Sequence, residues 1–223
     1  MSLEEISHKF QINSTFIIES LDESGENIAR GTCFAITPFL VLTAKHVITH
    51  RNKFRCYLKS DDFKNNIFYT LEVIEHDSDW DFAILRLASD SFSKFIPLGD
   101  VEIPLSTKVQ ICGYPIEAVY INSLVDVSVT NIYSDILTHD YSFEVSQSST
   151  VKDYQGMSGS PVLYKGYAIG VLVVQRASTI LKVLSISDII SRIPDLSEEL
   201  RFETILQDEI DYSPPLLPLL HFR

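Results

Sequence analysis

Residues 156–162 read GMSGSPV, following a polar stretch, SQSSTVKDYQ at 146–155, and leading into an apolar run. Glycines stand on both sides of Ser158. Turning neighbouring N–H groups toward one point, with room for a substrate backbone, calls for a residue without Cβ. The segment therefore predicts a hydroxyl nucleophile at Ser158, with the backbone N–H groups of Gly156 and Ser158 as an oxyanion hole. Taken alone, it also fits an ordinary turn between strands.

A serine hydroxyl is inert without a base to take its proton. His46 lies in GTCFAITPFLVLTAKHV, residues 31–47, where two apolar runs flank a Thr-Pro turn and TAKHV follows the second run. That places it on a short helical turn at a strand end. His8 and His221 are near the ends of the chain, His50 leaves the same turn, and His76 and His139 sit in acidic surroundings. These five read as solvated. A base of this kind needs a carboxylate to orient its second ring nitrogen. HDSDWDFAILRL, residues 76–87, offers Asp77, Asp79 and Asp81, and only Asp81 abuts the apolar run FAILRL. Asp81 is the expected partner, and Trp80 beside it reads as packing.

Around these segments, short β-rich runs with turn residues between them recur through most of the chain. The expected strands are Ser14–Ser20, Ile28–Ile36, Leu40–Thr43, Phe54–Lys59, Ile67–His76, Phe82–Leu87, Lys108–Gly113, Leu124–Tyr133, Tyr141–Ser146, Ser160–Tyr164, Tyr167–Gln175 and Ile180–Ser185. IPLGDVEIPLS at 96–106 interrupts the rhythm with two prolines and a glycine. The expected fold is all-β, with two antiparallel six-stranded barrels over 1–98 and 99–187 and a C-terminal helix and apolar tail over 188–223. Ser187 is the expected cap of that helix, which would present Ile189, Ile190 and Ile193 to the body. SEELRFETILQDEI at 197–210 is a second helical candidate, and YSPPLLPLLHFR at 212–223 reads as a packing strap or an attachment segment.

Bulk properties narrow the function classes. The 223 residues, 45% hydrophobic and 22% charged, suffice for a sizeable core. A net charge of −12 repels a phosphate backbone, so nucleic acid is not an expected partner. No apolar run approaches the roughly 18 residues of a membrane span, and the start, MSLEEISHKF, does not read as a signal peptide. Cys33, Cys56 and Cys112 are widely spaced among apolar neighbours and read as buried, reduced packing residues. They suit a cytoplasmic location. No metal constellation is present, and the chemistry inferred needs no cofactor.

TAKHV, DWDFAILRL and GMSGSPV together resemble the three signature blocks of the trypsin-like (chymotrypsin-fold) serine peptidases, in that family's order of His, Asp and Ser. CGYP at 112–115 and the strand from Gly170 also resemble second-barrel elements of the family. The resemblance covers roughly Phe10 to Leu196. It implies a triad assembled across the barrel interface, acting on a protein or peptide substrate. Val47 stands where secreted members carry cysteine, and Met157 where activated zymogens carry aspartate. The chain therefore looks more similar to disulfide-free intracellular bacterial and virus-like members than to the secreted ones. The same resemblance puts Lys152, Asp153, Val173, Val174 and Gln175 near the pocket for the residue before the cut. Gln175 in place of a common glycine implies a narrowed pocket for a small or medium side chain, while Asp153 keeps a basic preference open. It also implies a role as effector of a bacterial stress or defence system, with a regulatory partner met through the tail. The alternative is a catalytically silent trypsin-fold module that binds protein.

Overall fold

The computed structural model describes residues 13–48, 53–77, 79–118, 122–133, 141–146, 153–177, 180–194, 200 and 202–204. Strands β1 (Thr15–Leu21), β2 (Asn27–Ala35), β3 (Leu40–Thr43), β4 (Lys53–Tyr57), β5 (Tyr69–His76) and β6 (Ala83–Leu87) close an antiparallel barrel in the order β1-β2-β3-β6-β5-β4. The Thr-Pro turn between β2 and β3 forms as its residues dictate. Thr37 Oγ1 accepts the N–H of Leu40 at 3.0 Å, and the Ile36 N–H reaches Leu40 O at 2.9 Å.

β8 (Lys108–Gly113), β9 (Ser123–Ile132), β10 (Phe143–Ser146), β11 (Pro161–Tyr164), β12 (Tyr167–Ala177) and β13 (Ile180–Ser185) close a second antiparallel barrel through the β11–β12 and β11–β8 pairings. Two short strands extend it at the side. β7 (Leu98–Asp100) and β14 (Phe202–Thr204) run parallel to one another, and β7 pairs with β12 at Ala168.

Alternation along β1 decides how the barrels meet. All seven of its residues are buried. Phe16 and Ile18 point into the first barrel's core, while Ile17 joins Tyr57 and the second-barrel residue Tyr114 in a separate cluster. A strand with successive side chains on opposite faces can thus serve one barrel's core and the contact with its neighbour. The larger core cluster also crosses between barrels, taking in Cys112, Leu163, Val171 and Leu184, and a second fills the interior of the other barrel around Val109, Ile111, Val127 and Val183.

Several expectations are corrected at the C-terminal end and in the connections. The cap of helix α2 (Ile186–Arg192; α1 is Ser60–Lys64) is Ser185, not Ser187. Ser185 Oγ accepts the N–H of Asp188 at 3.1 Å, whereas the Ser187 hydroxyl donates to Asp100. Ile186, Ile189, Ile190 and Ile193 are all buried, each worth roughly 1.5–3 kcal/mol as an upper estimate. The helical reading of residues 197–210 fails at Phe202–Thr204, because β7 offers an open edge whose ladder bonds outweigh a weak local preference. β7 itself lies inside the proline-interrupted stretch, since the three residues between Pro97 and Val101 are free to pair. Helix α1 falls in what reads as a loop. Residues 205–223, with the apolar tail, lie outside the described residues.

Candidate active site

His46 occupies a 3₁₀ turn, Lys45–Val47, immediately after β3. Antiparallel pairing of β3 with β6 sets Thr43 opposite Ala83, so the residues just past Thr43 and just before Ala83 emerge at the same barrel end. Asp81 meets His46 there with both oxygens. One, Oδ1, accepts the backbone N–H of His46 at 2.7 Å, and Oδ2 lies 2.5 Å from ring Nδ1. A carboxylate can only accept, so Nδ1 carries a proton, and in the neutral ring that leaves the lone pair on Nε2. The His46 side chain is 47% exposed and Asp81 26%, which leaves the ring edge open to solvent and substrate.

The Ser158 loop is built from two consecutive tight turns. Met157 N–H reaches Tyr154 O at 3.0 Å, and Ser160 N–H reaches Met157 O at 2.9 Å. Each turn has a glycine in its third position with positive φ, +86° at Gly156 and +87° at Gly159, as a type II turn requires. Neither glycine has room for a side chain. A Cβ on Gly156 would lie 2.6 Å from Tyr114 O, and one on Gly159 would lie 2.0 Å from Thr32 O. The turns engage the N–H groups of Met157 and Ser160, and Gly159 donates to Leu172 O of β12 at 2.7 Å. Among the described residues, the N–H groups of Gly156 and Ser158 donate to nothing. These are the two groups expected to face an oxyanion.

First-barrel residues hold this loop against the histidine. Thr32 N–H donates to Ser158 O at 2.8 Å, Thr32 Oγ1 donates to Gly156 O at 2.8 Å, and the same oxygen accepts the N–H of Tyr114 at 3.1 Å. Thr43 Oγ1 in turn donates to Thr32 O at 2.7 Å. Gly31 is a point of close approach between the two halves, since a Cβ there would come within 2.6 Å of Val47 and 2.9 Å of Ser158 O. Ser158 is therefore brought beside the His46 turn. Among the described residues no hydrogen bond joins the Ser158 hydroxyl to His46; such bonds commonly tighten only when substrate is bound.

The remaining candidates are placed less uniformly. Asp153 is half-buried and accepts the N–H of Gln155 at 2.9 Å, so its carboxylate closes a local turn. Val173 is 2% exposed and packs in the core cluster shared by both barrels, leaving only its main chain to face a substrate. Strand β12 passes through Val174 and Gln175. Lys152 lies outside the described residues. Cys33, Cys56 and Cys112 are all free and fully buried. Burial pushes the Cys33 thiol well above its ordinary range and Cys112 up to about 12. The groups that the sequence reading missed are Thr32 and Tyr114. Both stand in segments quoted above, GTCF and CGYP, but a threonine or tyrosine there carries no chemical signature until its partner across the interface is seen.

A model of the trypsin-like peptidase domain family matches residues 31–171. No curated protein sequence matches the chain. Among solved structures, the chain is similar to the Rv3671c protease from M. tuberculosis in its active form, at 18% identity and a TM-score of 0.68, covering 86% of this chain and 84% of that one. The inactive form of the Rv3671c protease aligns at 20% identity and a TM-score of 0.65, covering 86% and 93%. Deg5 aligns at 18% identity and a TM-score of 0.68, covering 87% and 93%. At such identities the structures speak for the fold. With the family match over more than half of its length, the chain belongs to the trypsin-like peptidases, and as an enzyme it is a serine protease of that class. Among the described residues no helix is long and apolar enough to cross a membrane.

Proposed function

We propose that the chain is a serine endopeptidase that cleaves a protein substrate through Ser158, His46 and Asp81. Ser158 Oγ attacks the scissile carbonyl carbon while His46 Nε2 takes the hydroxyl proton. The carbonyl oxygen becomes an oxyanion and is received by the N–H groups of Gly156 and Ser158. Collapse breaks the C–N bond, His46 returns its proton to the departing amine, and an acyl-enzyme remains on Ser158. Water then attacks the ester, again giving its proton to His46, and the freed acid departs as Ser158 recovers its proton. The observation that carries this reading is Asp81's two-oxygen grip on His46, which fixes both the position and the tautomer of the base. Together with the Gly156 and Ser158 N–H groups, which donate to nothing among the described residues, that arrangement supports catalysis over a silent binding module.

Lys152, Asp153, Val174 and Gln175, with the main chain of Val173, belong to the proposed pocket for the residue before the cut. Gln175 in place of glycine supports a narrowed pocket taking a small or medium side chain. A peptide-library digest checks this, and strong preference for Arg or Lys would overturn it. The location we propose is the cytoplasm, supported by three cysteines that are all free. An effector role in a bacterial stress or defence assembly, with a regulatory partner, rests on the family resemblance alone.

The test of the triad is reaction with a fluorophosphonate, in which a Ser158 Oγ–P bond forms, fluoride leaves and the serine proton passes to His46. Intact mass should show one adduct on the wild type and none on Ser158→Ala. Asp81→Asn should slow labelling by about 10⁴-fold, because the amide favours the wrong tautomer. Labelling of Ser158→Ala, or wild-type kinetics in Asp81→Asn, would refute the assignment.

A further inference from the structure

The turn that presents Asp81 is fastened from the far end of the chain. Asp77 opens it, with Oδ1 accepting the N–H groups of Asp79 at 2.8 Å and Trp80 at 3.0 Å. The turn then closes on itself, Phe82 N–H reaching Trp80 O at 2.9 Å. The second oxygen of Asp77 receives Arg192 Nη1 at 3.1 Å, and the same guanidinium lies over the Trp80 indole, 3.8 Å from the ring centre. One side chain thus holds the turn at its first residue and at the residue before Asp81. Trp80 is 4% exposed, and Arg192 and Asp77 are 28% and 21% exposed.

Arg192 is well placed to act as a fixed point. It is the last residue of α2, whose isoleucines are sunk in the core and whose first turn is tied down by Asp188, which accepts the hydroxyls of Ser185 at 2.6 Å and Ser142 at 2.5 Å. A partly exposed ion pair by itself contributes little to stability. A guanidinium held over an indole while bonding a carboxylate instead fixes direction, since the two contacts hold one group at two points. Asp77 remains a charged partner. Burial works against its charge, but the N–H groups of Asp79 and Trp80, and then Arg192, hold its carboxyl below the ordinary 3.8.

We propose that Arg192 is a positioning residue for Asp81, so that helix α2, which follows the second barrel, sets the orientation of the His46–Asp81 pair on the first. The inference rests on the triad reading above. It assigns the C-terminal helix a part in catalysis beyond packing, and makes the position of α2 a means of altering the rate without touching the substrate pocket.

The test uses full-length Arg192→Ala and Arg192→Lys, with the fluorophosphonate concentration varied to separate the saturating rate of adduct formation from the half-saturating concentration. Trp80 is the chain's only tryptophan, so its emission and its quenching by acrylamide read the turn directly. In Arg192→Ala the saturating rate should fall about tenfold, half-saturation should stay within about twofold, and quenching should rise. Lysine keeps the charge but not the broad guanidinium that reaches both partners, so Arg192→Lys should fall in between. A wild-type saturating rate in folded Arg192→Ala overturns the proposal, as does a loss that disappears on correction for the unfolded fraction by circular dichroism. If the alanine variant does not fold, unchanged rate and quenching in Arg192→Lys overturn it. Labelled Ser158→Ala, or an unlabelled wild type, brings down the triad reading and this inference with it. An unlabelled Ser158→Ala beside a fully active Arg192→Ala removes this inference alone.

Discussion

Thr32→Val isolates the contact between the barrels that the site depends on most. The substitution preserves shape and removes one hydroxyl, which donates to Gly156 O at 2.8 Å and accepts from Tyr114 N at 3.1 Å. Thr32 is fully buried and Tyr114 is 3% exposed, so water cannot readily replace either bond. A buried group left unsatisfied costs about 1–3 kcal/mol, which makes the loss for two such groups about 2–6 kcal/mol. For a chain of this length that is a fall in melting temperature of about 4–24 °C. The main-chain bond from Thr32 N to Ser158 O survives, so the loop should loosen without leaving its place. Because Gly156 is the freed end, oxyanion stabilisation suffers, and labelling by fluorophosphonate should slow about 10–100-fold at temperatures well below melting. Thr32→Ser keeps the hydroxyl and should label at close to the wild-type rate, with a stability loss of about 1 kcal/mol. Calorimetry and timed intact-mass labelling make the comparison. Wild-type labelling by a folded Thr32→Val would show that the hydroxyl does not hold the nucleophile loop.

The Ser160 hydroxyl is buried and has no hydrogen-bond partner among the described residues, so Ser160→Ala should raise stability by about 1 kcal/mol, read as a rise of about 2–4 °C in melting temperature. A lower melting temperature would mean the hydroxyl has a partner. Burial raises the Cys33 and Cys112 thiols and closes all three cysteines to reagent, so iodoacetamide at pH 8 should add nothing to the native chain and three groups in denaturant. A rapid native adduct would contradict that account. Gly159→Ala would force a Cβ to 2.0 Å from Thr32 O and 2.3 Å from Thr43 Oγ1 at a φ of +87°, and should cost more than about 4 kcal/mol. Recovery of folded Gly159→Ala with wild-type labelling would be incompatible with the loop as described.

What was legible in the sequence was whatever chemistry or periodicity demands locally. The strand at Leu40–Thr43 was readable because an apolar run follows a Thr-Pro turn, and the structure returns the same bounds. Asp81 could be separated from Asp77 and Asp79 because only it abuts a strand, and it is the one that reaches His46. The cap of α2 was missed because Ser185 and Ser187 are equally good local signals. The choice between them is made by Ser142 and Asp100, which no window around the helix contains. Likewise β14 reads as helix locally and becomes a strand because β7 presents an edge. Three-residue strands such as these are defined by their neighbours more than by their own residues.

The same division runs through the site. Ser158, His46 and Asp81 are of residue types that carry nucleophilic and acid–base chemistry, so position beside a glycine or a strand end was enough to propose them for the site. The residues that hold them are ordinary. Thr32 bonds Gly156 across 124 residues, and Arg192 bonds Asp77 across 115. Neither has any distinguishing neighbour in the chain, and each gains its role only when the fold supplies a partner. Both links cross between the two halves of the molecule, Thr32 from the first barrel to the nucleophile loop and Arg192 from α2 back to the Asp81 turn. On the proposed triad, the base and the nucleophile would be held in register by a reciprocal pair of clamps. Damage to either clamp should slow bond formation while leaving substrate binding largely intact, which sets these residues apart from those of the pocket.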